Sequence, residues 1–228
     1  MLTTLRTLYN QGDNDGNVII KTTDHELICH DFVLKYTSDF FKNYIIMTGF
    51  DGIITLDYDS KLVNIVFNCM YSEKVIEQNL TGQEIIKLYA LLDQLKCKNI
   101  EMIIKNHYLK KFPSTLTENN WMTFLRMVFN VEKYIELQKE ILNYFANHIL
   151  MNLETVNMYL FSDVYKDTDN DIKDTLFKIC LEKIMSLTTE LKTNMENEEL
   201  KKKMNEYLKT DDEESDEEPK KVIPKKKK

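Results

Sequence analysis

The residues Asn17–Ile45, NVIIKTTDHELICHDFVLKYTSDFFKNYI, carry the strongest local structural signals of this chain. Val18 to Ile20 is a run of β-branched residues that suits a half-buried strand. After the turn residues Thr22 to Asp24, Leu27 to Cys29 predicts a second strand antiparallel to the first. From Phe32 to Tyr44 the apolar residues recur every three or four positions, which is the spacing of helices. The stretch therefore predicts a β-hairpin followed by two small helices.

Two short motifs follow the predicted hairpin. His30-Asp31-Phe32-Val33-Leu34 and Ser38-Asp39-Phe40-Phe41-Lys42 resemble the H-x-x-V-L and S-x-(Y/F)-F-(K/R) signature of the BTB/POZ domain, at that family's spacing. The likeness extends through residues 53–57, which resemble the family's central strand, residues 63–72, which resemble a helix ending in a Tyr-Ser turn, and residues 85–109. The signature residues are His30, Val33, Leu34, Ser38, Phe40, Phe41 and Tyr71. We expect a core position for both phenylalanines and for Tyr71, and a partly buried His30 with one ring nitrogen bonded to the backbone.

The resemblance implies an α+β protein with a BTB/POZ fold, a small mixed sheet clasped by helices. An all-α helical region and a disordered charged tail follow. The predicted domains are residues 1–112 for the BTB/POZ domain with an N-terminal helix, 113–209 for a BACK-like helical region, and 210–228 for the tail. Pro113 ends a predicted helix at this boundary. The BACK-like interpretation depends on a helix pair at residues 119–129 and 136–150 that faintly repeats the pattern of residues 85–109.

Further elements are predicted from periodicity and end signals. Ser60 to Tyr71 is apolar on more than one face, which predicts a well-buried helix, and Val75-Ile76 allows a short strand. Thr81-Gly82-Gln83-Glu84 has the form of a capping box. Residues 153–161 and 171–187 predict two amphipathic helices. The thin apolar seam of residues 190–208 favours two or three turns of marginal helix over a coiled coil.

Bulk composition limits the classes of function. Hydrophobic residues make up 43% of the chain and charged residues 29%, as in a folded domain. Of the net charge of −7, residues 211–228 carry −1 and residues 1–210 carry −6, which opposes binding of nucleic acid by the folded part. We expect neither a membrane contact nor a signal peptide, hence a cytoplasmic protein. The frequent Asn, Lys, Ile and Tyr are encoded by A/T-rich codons, which motivates the hypothesis of a large DNA virus or a protist as the source.

No arrangement of residues predicts an enzyme, a cofactor or a small-molecule substrate. The four histidines lack the i, i+4 spacing of a helical metal site, and five glycines leave little room for a phosphate-binding loop. Four widely spaced cysteines lie among apolar neighbours, which favours buried reduced thiols over a disulfide or zinc site; they are Cys29, Cys69, Cys97 and Cys180.

The resemblance implies that function lies on surfaces that bind proteins. A homodimer is expected, with a candidate dimer surface at Leu2, Leu5, Leu8 and Val18. A cullin scaffold is expected to meet the segment after the second motif, at Tyr44, Ile45, Ile46, Met47 and Phe50, unless these side chains pack onto their own domain. Two features depart from the family pattern. Asn17 and Asp31 stand where many members have a charge pair across the dimer, and the loop 47–52 lacks a hydrophobic-x-Glu motif.

The chain ends in PKKVIPKKKK, preceded by an acidic run. Its lysines allow a nuclear-import signal, a contact for anionic surfaces, or a solubilising terminus; they are Lys220, Lys221, Lys225, Lys226, Lys227 and Lys228. The main hypothesis is a non-enzymatic BTB adaptor that brings targets to a cullin-type ubiquitin ligase. The alternatives are an oligomerisation or decoy module that binds host BTB or cullin proteins without delivering a substrate, and a nuclear scaffold.

Overall fold

The computed structural model describes the backbone of residues 17–47 and 49–213, and the side chains of residues 17–47, 49–97 and 99–205. The predicted N-terminal helix with Leu2, Leu5 and Leu8, and the lysine tail, lie outside the described residues. The chain forms two compact units, one of residues up to 149 together with 169–172, the other of residues 150–168 and those from 173 onward. The predicted boundary at residue 113, between the BTB/POZ domain and the BACK-like region, does not coincide with this division. It stays a prediction.

The predicted hairpin is present and forms part of a mixed sheet. Strand β1 (Val18–Lys21) pairs antiparallel with strand β2 (Glu26–Cys29), with Val18 opposite Cys29. Strand β3 (Ile53–Thr55) pairs parallel with β1 on its other side. The alternation of strand side chains places one face of the sheet in the core.

The strand order among the described residues is β2-β1-β3. A strand is thus present at Ile53–Thr55, as predicted, but among the described strands the central one is β1 and not β3. Strand β1 has a hydrogen-bonded neighbour on each side, whereas β3 has a neighbour only on the β1 side. Strand β3 pairs in parallel with β1. A parallel pairing requires a long crossover, and the two helices between β2 and β3 provide it.

Both predicted small helices follow the hairpin. Helix α1 (Asp31–Thr37) begins after His30, and helix α2 (Asp39–Ile46) begins after Ser38. The extended backbone of Ser38 separates them (φ −139°, ψ 123°). Its hydroxyl accepts a hydrogen bond from the Phe41 backbone N–H at 3.2 Å, so that one residue ends the first helix and caps the second.

Three longer helices follow β3 along the chain and pack on one another. Helix α3 (Ser60–Ser72) has eight buried side chains, as its apolar pattern predicts. Helix α4 (Gly82–Leu95) begins with the predicted capping box, in which the Glu84 carboxylate accepts a hydrogen bond from the Thr81 backbone N–H at 2.7 Å. Helix α5 (Lys98–Leu109) follows. The strand allowed at Val75-Ile76 is wrong, because the two residues are in an irregular segment that pairs with no described strand, and the Ile76 side chain is exposed.

The first unit continues into helical structure. A 3₁₀ turn (Phe112–Thr115) leads to helix α6 (Trp121–Val128), and a second 3₁₀ turn (Glu132–Tyr134) leads to helix α7 (Ile135–Tyr144), which ends in a π-helical turn (Phe145–Ile149). The predicted helix pair is thus present. Gly82 lies so close to Phe124 that a Cβ atom would come 2.6 Å from its ring. Helix α6 therefore packs tightly on the start of helix α4.

The second unit contains helix α8 (Leu153–Leu160), helix α9 (Asp163–Lys166) and most of helix α10 (Asn170–Glu213). The prediction of short helical turns over residues 190–208 is wrong, since α10 runs unbroken for 44 residues. The first part of α10 buries Ile172, Leu176 and Cys180 on one face. Good helix formers and the i, i+4 ion pair Glu199–Lys203, 2.9 Å apart, stabilise its exposed residues 190–205. Residues 210–213, predicted to belong to the disordered tail, are the last four residues of this helix.

Candidate interaction surface

A groove runs along one face of helix α2. Phe40, Asn43, Tyr44 and Met47 occupy positions i, i+3, i+4 and i+7, so they line the same side of the helix and its end. Gln94 and Lys96, at the end of helix α4, complete the groove. Its volume of about 250 Å³ is below the ~300–1,000 Å³ of typical small-molecule sites. The groove therefore suits one or two side chains of another protein.

A buried serine holds the two walls of this groove together. The Ser38 hydroxyl donates a hydrogen bond to the Leu95 carbonyl oxygen at 2.5 Å, while it caps helix α2. Its side chain is almost fully buried. The hydroxyl therefore connects the beginning of helix α2 to the end of helix α4, and the position of the groove depends on it. Ser38, a residue of the signature, therefore has a structural role.

The predicted cullin-binding residues lie beside the groove and on it. Ile46 and Met47 are exposed by 67% and 66%, and Tyr44 is exposed as well. Ile45 and Phe50 are half-buried, and the Tyr44 ring meets the Phe50 ring edge-on at 6.1 Å. The open alternative of packing onto their own domain thus applies to two of the five residues. An exposed cluster of this kind is typical of a protein-binding site.

Comparisons with known proteins identify the part of the chain that carries this surface. The family model described as BTB/POZ domain matches residues 7–111. The chain contains a BTB/POZ domain. A solved structure similar to it is the BTB domain of zebrafish PATZ1, at 17% identity and a TM-score of 0.40 over 49% of this chain and 89% of that one. No curated protein matches the chain.

A second exposed apolar surface of the BTB/POZ domain was not predicted. Ile28 on β2 and Phe32 on α1 are each 49% exposed, and Tyr36, one turn after Phe32, is 91% exposed. The i, i+4 spacing of the two aromatic residues signals this surface, but the same spacing also fits a core-facing helix. Val18, predicted on the dimer surface, is buried in the domain's own core because its side chain points to the inner face of β1. It is therefore not available to a partner.

The signature histidine binds a tyrosine rather than the backbone. Nδ1 of His30 lies 3.0 Å from the Tyr71 hydroxyl oxygen, which also accepts a hydrogen bond from the His30 backbone N–H at 3.0 Å. The predicted backbone partner for the ring is thus wrong. Tyr71 itself is buried on helix α3, as predicted. The pair fixes the start of α1 to α3, which is a structural role.

Phe40 is not a core residue, in contrast to the prediction. Its side chain is half-buried and lines the groove, and its ring lies 5.9 Å from the Tyr44 ring. Phe41, the next residue, is fully buried and meets Phe67 at 5.9 Å. Helical geometry turns adjacent side chains by about 100°, which separates the two phenylalanines onto different faces.

The two positions that depart from the family pattern are bonded within the chain. The Asn17 side-chain oxygen accepts a hydrogen bond from the Asp31 backbone N–H at 2.9 Å. The Asp31 carboxylate forms an ion pair with Lys35 at 2.6 Å, and this hydrogen bond lowers the pKa of Asp31. Both polar groups thus stabilise the start of helix α1.

The thiols are not poised for chemistry at neutral pH. All four cysteines are free and buried. Burial raises the pKa of Cys29 and Cys97 to about 12 and that of Cys69 and Cys180 to about 11. Because the thiolate is the reactive form, these side chains act as small core residues. Within the described residues no three His, Cys, Asp or Glu side chains are grouped to hold a metal ion.

Across residues 17–213, apart from residue 48, no helix has the length and apolar character needed to cross a lipid bilayer.

Proposed function

We propose that this chain is a non-enzymatic adaptor whose BTB/POZ domain forms a homodimer and binds a cullin scaffold, while the helical residues after residue 112 meet the protein to be recruited. BTB/POZ domains are protein-interaction modules, and residues 7–111 match that family. The observation that carries the proposal is the apolar groove on helix α2, with Tyr44, Ile46 and Met47 exposed beside it.

The groove supports a protein partner over a small ligand for two reasons. Its volume is small, and the exposed side chains extend the apolar area past its edge. Side chains of this kind bury most area when a partner helix or loop lies across them, and central apolar anchors supply most binding energy in protein interfaces. The expected partner is the amino-terminal region of cullin-3.

The homodimer is assigned to the second exposed surface. Ile28 projects from β2, which is an edge strand among the described residues, and Phe32 and Tyr36 project from the following helix. A second copy can cover all three side chains there. Light scattering of the full chain should give twice the monomer mass, and Phe32→Asp should shift it toward the monomer. Phe177→Asp, at a phenylalanine with similar exposure in the second unit, should leave the dimer mass unchanged. A monomer in the wild-type chain would contradict this assignment.

A capture experiment tests the cullin assignment. Purified full chain, immobilised, should retain the amino-terminal region of cullin-3, and Ile46→Asp or Met47→Asp should lower retention at least tenfold. Ile76→Asp and Met102→Asp are matched controls, since Ile76 and Met102 are also exposed on the same unit but do not line the groove. Equal retention by all four variants, with unchanged circular dichroism, would show that the partner binds elsewhere.

The alternative is a module that binds a cullin or a host BTB protein without delivering a target. The absence of a hydrophobic-x-Glu motif from the loop 47–52 favours it, because the chain departs there from members that bind cullins. An assay of ubiquitin transfer with purified components distinguishes the adaptor from this alternative. An adaptor should increase transfer to a captured protein, whereas a decoy should lower transfer by a known adaptor in proportion to its concentration.

A further inference from the structure

The groove on helix α2 is lined by a lysine, Lys96, for which the described residues supply no ion-pair partner. Lys96 is exposed, lines the groove, and forms no ion pair with any described residue. The neighbouring acid Asp93 is already 3.6 Å from Lys133. Facing the lysine are the apolar side chains of Phe40, Tyr44 and Met47 and the amides of Asn43 and Gln94.

The backbone of Lys96 is in a conformation that lysine seldom adopts. With φ 50° and ψ 52° it is left-handed, at a helix end where glycine or asparagine is usual. Its N–H donates to the Leu92 carbonyl oxygen at 3.0 Å, and its own carbonyl lies 3.5 Å from the Asp39 N–H. The left-handed residue ends helix α4, as in many helices, and its side chain is among those that line the groove.

We propose that Lys96 makes the groove selective for a protein segment that carries a carboxylate about one helical turn from a large apolar side chain. The apolar side chain enters between Phe40, Tyr44 and Met47, and the carboxylate pairs with the Lys96 ammonium. This proposal rests on the proposed function, since it names the chemistry of the partner at the same surface. It adds a specificity-determining residue that the signature does not contain.

The test uses two synthetic helical peptides of equal length, each with two leucines four residues apart and with either Glu or Gln in the next turn. Their binding to the full chain is measured by fluorescence polarisation. The Glu peptide should bind the wild type about two- to fivefold more tightly, the range of an exposed ion pair. Raising NaCl from about 0.1 to about 0.5 M should shrink that difference, because salt screens exposed charges.

Lys96→Asn should bind both peptides equally. Asparagine tolerates the left-handed conformation, so the melting temperature should be equal to or above that of the wild type, and lost selectivity cannot come from unfolding. Lys42→Asn is the matched control, because Lys42 is an exposed lysine of helix α2 that does not line the groove, and it should keep the preference. A preference that survives in Lys96→Asn, or no saturable binding of either peptide to the wild type up to about 1 mM, would overturn the proposal.

The cullin capture experiment fails separately. If cullin-3 is not retained but the Glu preference depends on Lys96, the groove chemistry stands and the cullin assignment falls. If Met47→Asp lowers cullin-3 retention while Lys96→Asn leaves the affinity for both peptides unchanged, the proposed function stands and this inference falls.

Discussion

Replacing Ser38 with alanine tests the contact that positions the groove. Ser38 caps helix α2 and donates to the Leu95 carbonyl oxygen at 2.5 Å in a nearly solvent-free position. Loss of the cap costs about 1 kcal/mol, and leaving the buried carbonyl without this partner costs a further ~1–3 kcal/mol. We expect Ser38→Ala to lower the free energy of unfolding by about 2–4 kcal/mol.

Urea unfolding followed by the fluorescence of Trp121, the chain's one tryptophan, measures this loss in the first unit. Thr81→Ala is the matched control, since Thr81 also caps a helix, accepting from the Glu84 N–H, but is exposed. It should cost about 1 kcal/mol. Equal losses for both variants, or a loss below about 0.5 kcal/mol for Ser38→Ala, would refute the role of the buried hydrogen bond in joining the two helices.

Three further predictions concern packing, pH and thiol reactivity. Gly82→Ala should lower unfolding free energy by about 1–3 kcal/mol, because its Cβ would lie 2.6 Å from the Phe124 ring; Phe124→Leu in the same chain should recover part of the loss, and additive losses would contradict this contact. The hydrogen bond from the Ser60 backbone N–H is the main cause of the lowered pKa of Asp24. The unfolding free energy of the wild type should therefore fall relative to that of Asp24→Asn as the pH drops below about 4. Urea titrations in which both proteins show the same pH dependence would contradict this prediction. Iodoacetamide should modify Cys29 far more slowly in the native chain than in urea, because burial raises its pKa to about 12; equal rates would disprove burial.

Local sequence signals predicted the elements that depend on short-range physics. The hairpin, the two small helices and the Thr81 capping box each contain their own turn or cap residues, and the structure confirms them. The BTB/POZ assignment followed from the spacing of His30 and Ser38 in two motifs, and the family match confirms it. Residue type and spacing are enough where neighbours in sequence are also neighbours in space.

Features that depend on distant contacts were predicted less well. Strand β3 pairs with β1 although two helices separate it from the hairpin in sequence. The residue pattern within one strand does not predict which other strand it pairs with. The ring partner of His30 is Tyr71, 41 residues away. Helix α10 continues through a polar sequence because propensity and i, i+4 pairs extend it, a contribution that a search for buried faces overlooks.

The candidate surface was predicted in part. Ile46 and Met47 are exposed where the apolar run suggested, but Phe40, predicted in the core, lines the groove, and Lys96 was not predicted at all. Lys96 joins the site through the end of helix α4, which lies about fifty residues after helix α2 in sequence. Only the folded arrangement brings the two helices together, through Ser38.

We propose that the chain acts by binding another protein at the end of helix α2. Hydrogen–deuterium exchange of the full chain, with and without the amino-terminal region of cullin-3, tests it most directly. We expect slower exchange on binding in residues 40–47 and 93–96, with little change in residues 98–109. Binding that leaves residues 40–47 and 93–96 unprotected, or no change anywhere at saturating cullin-3, would contradict it.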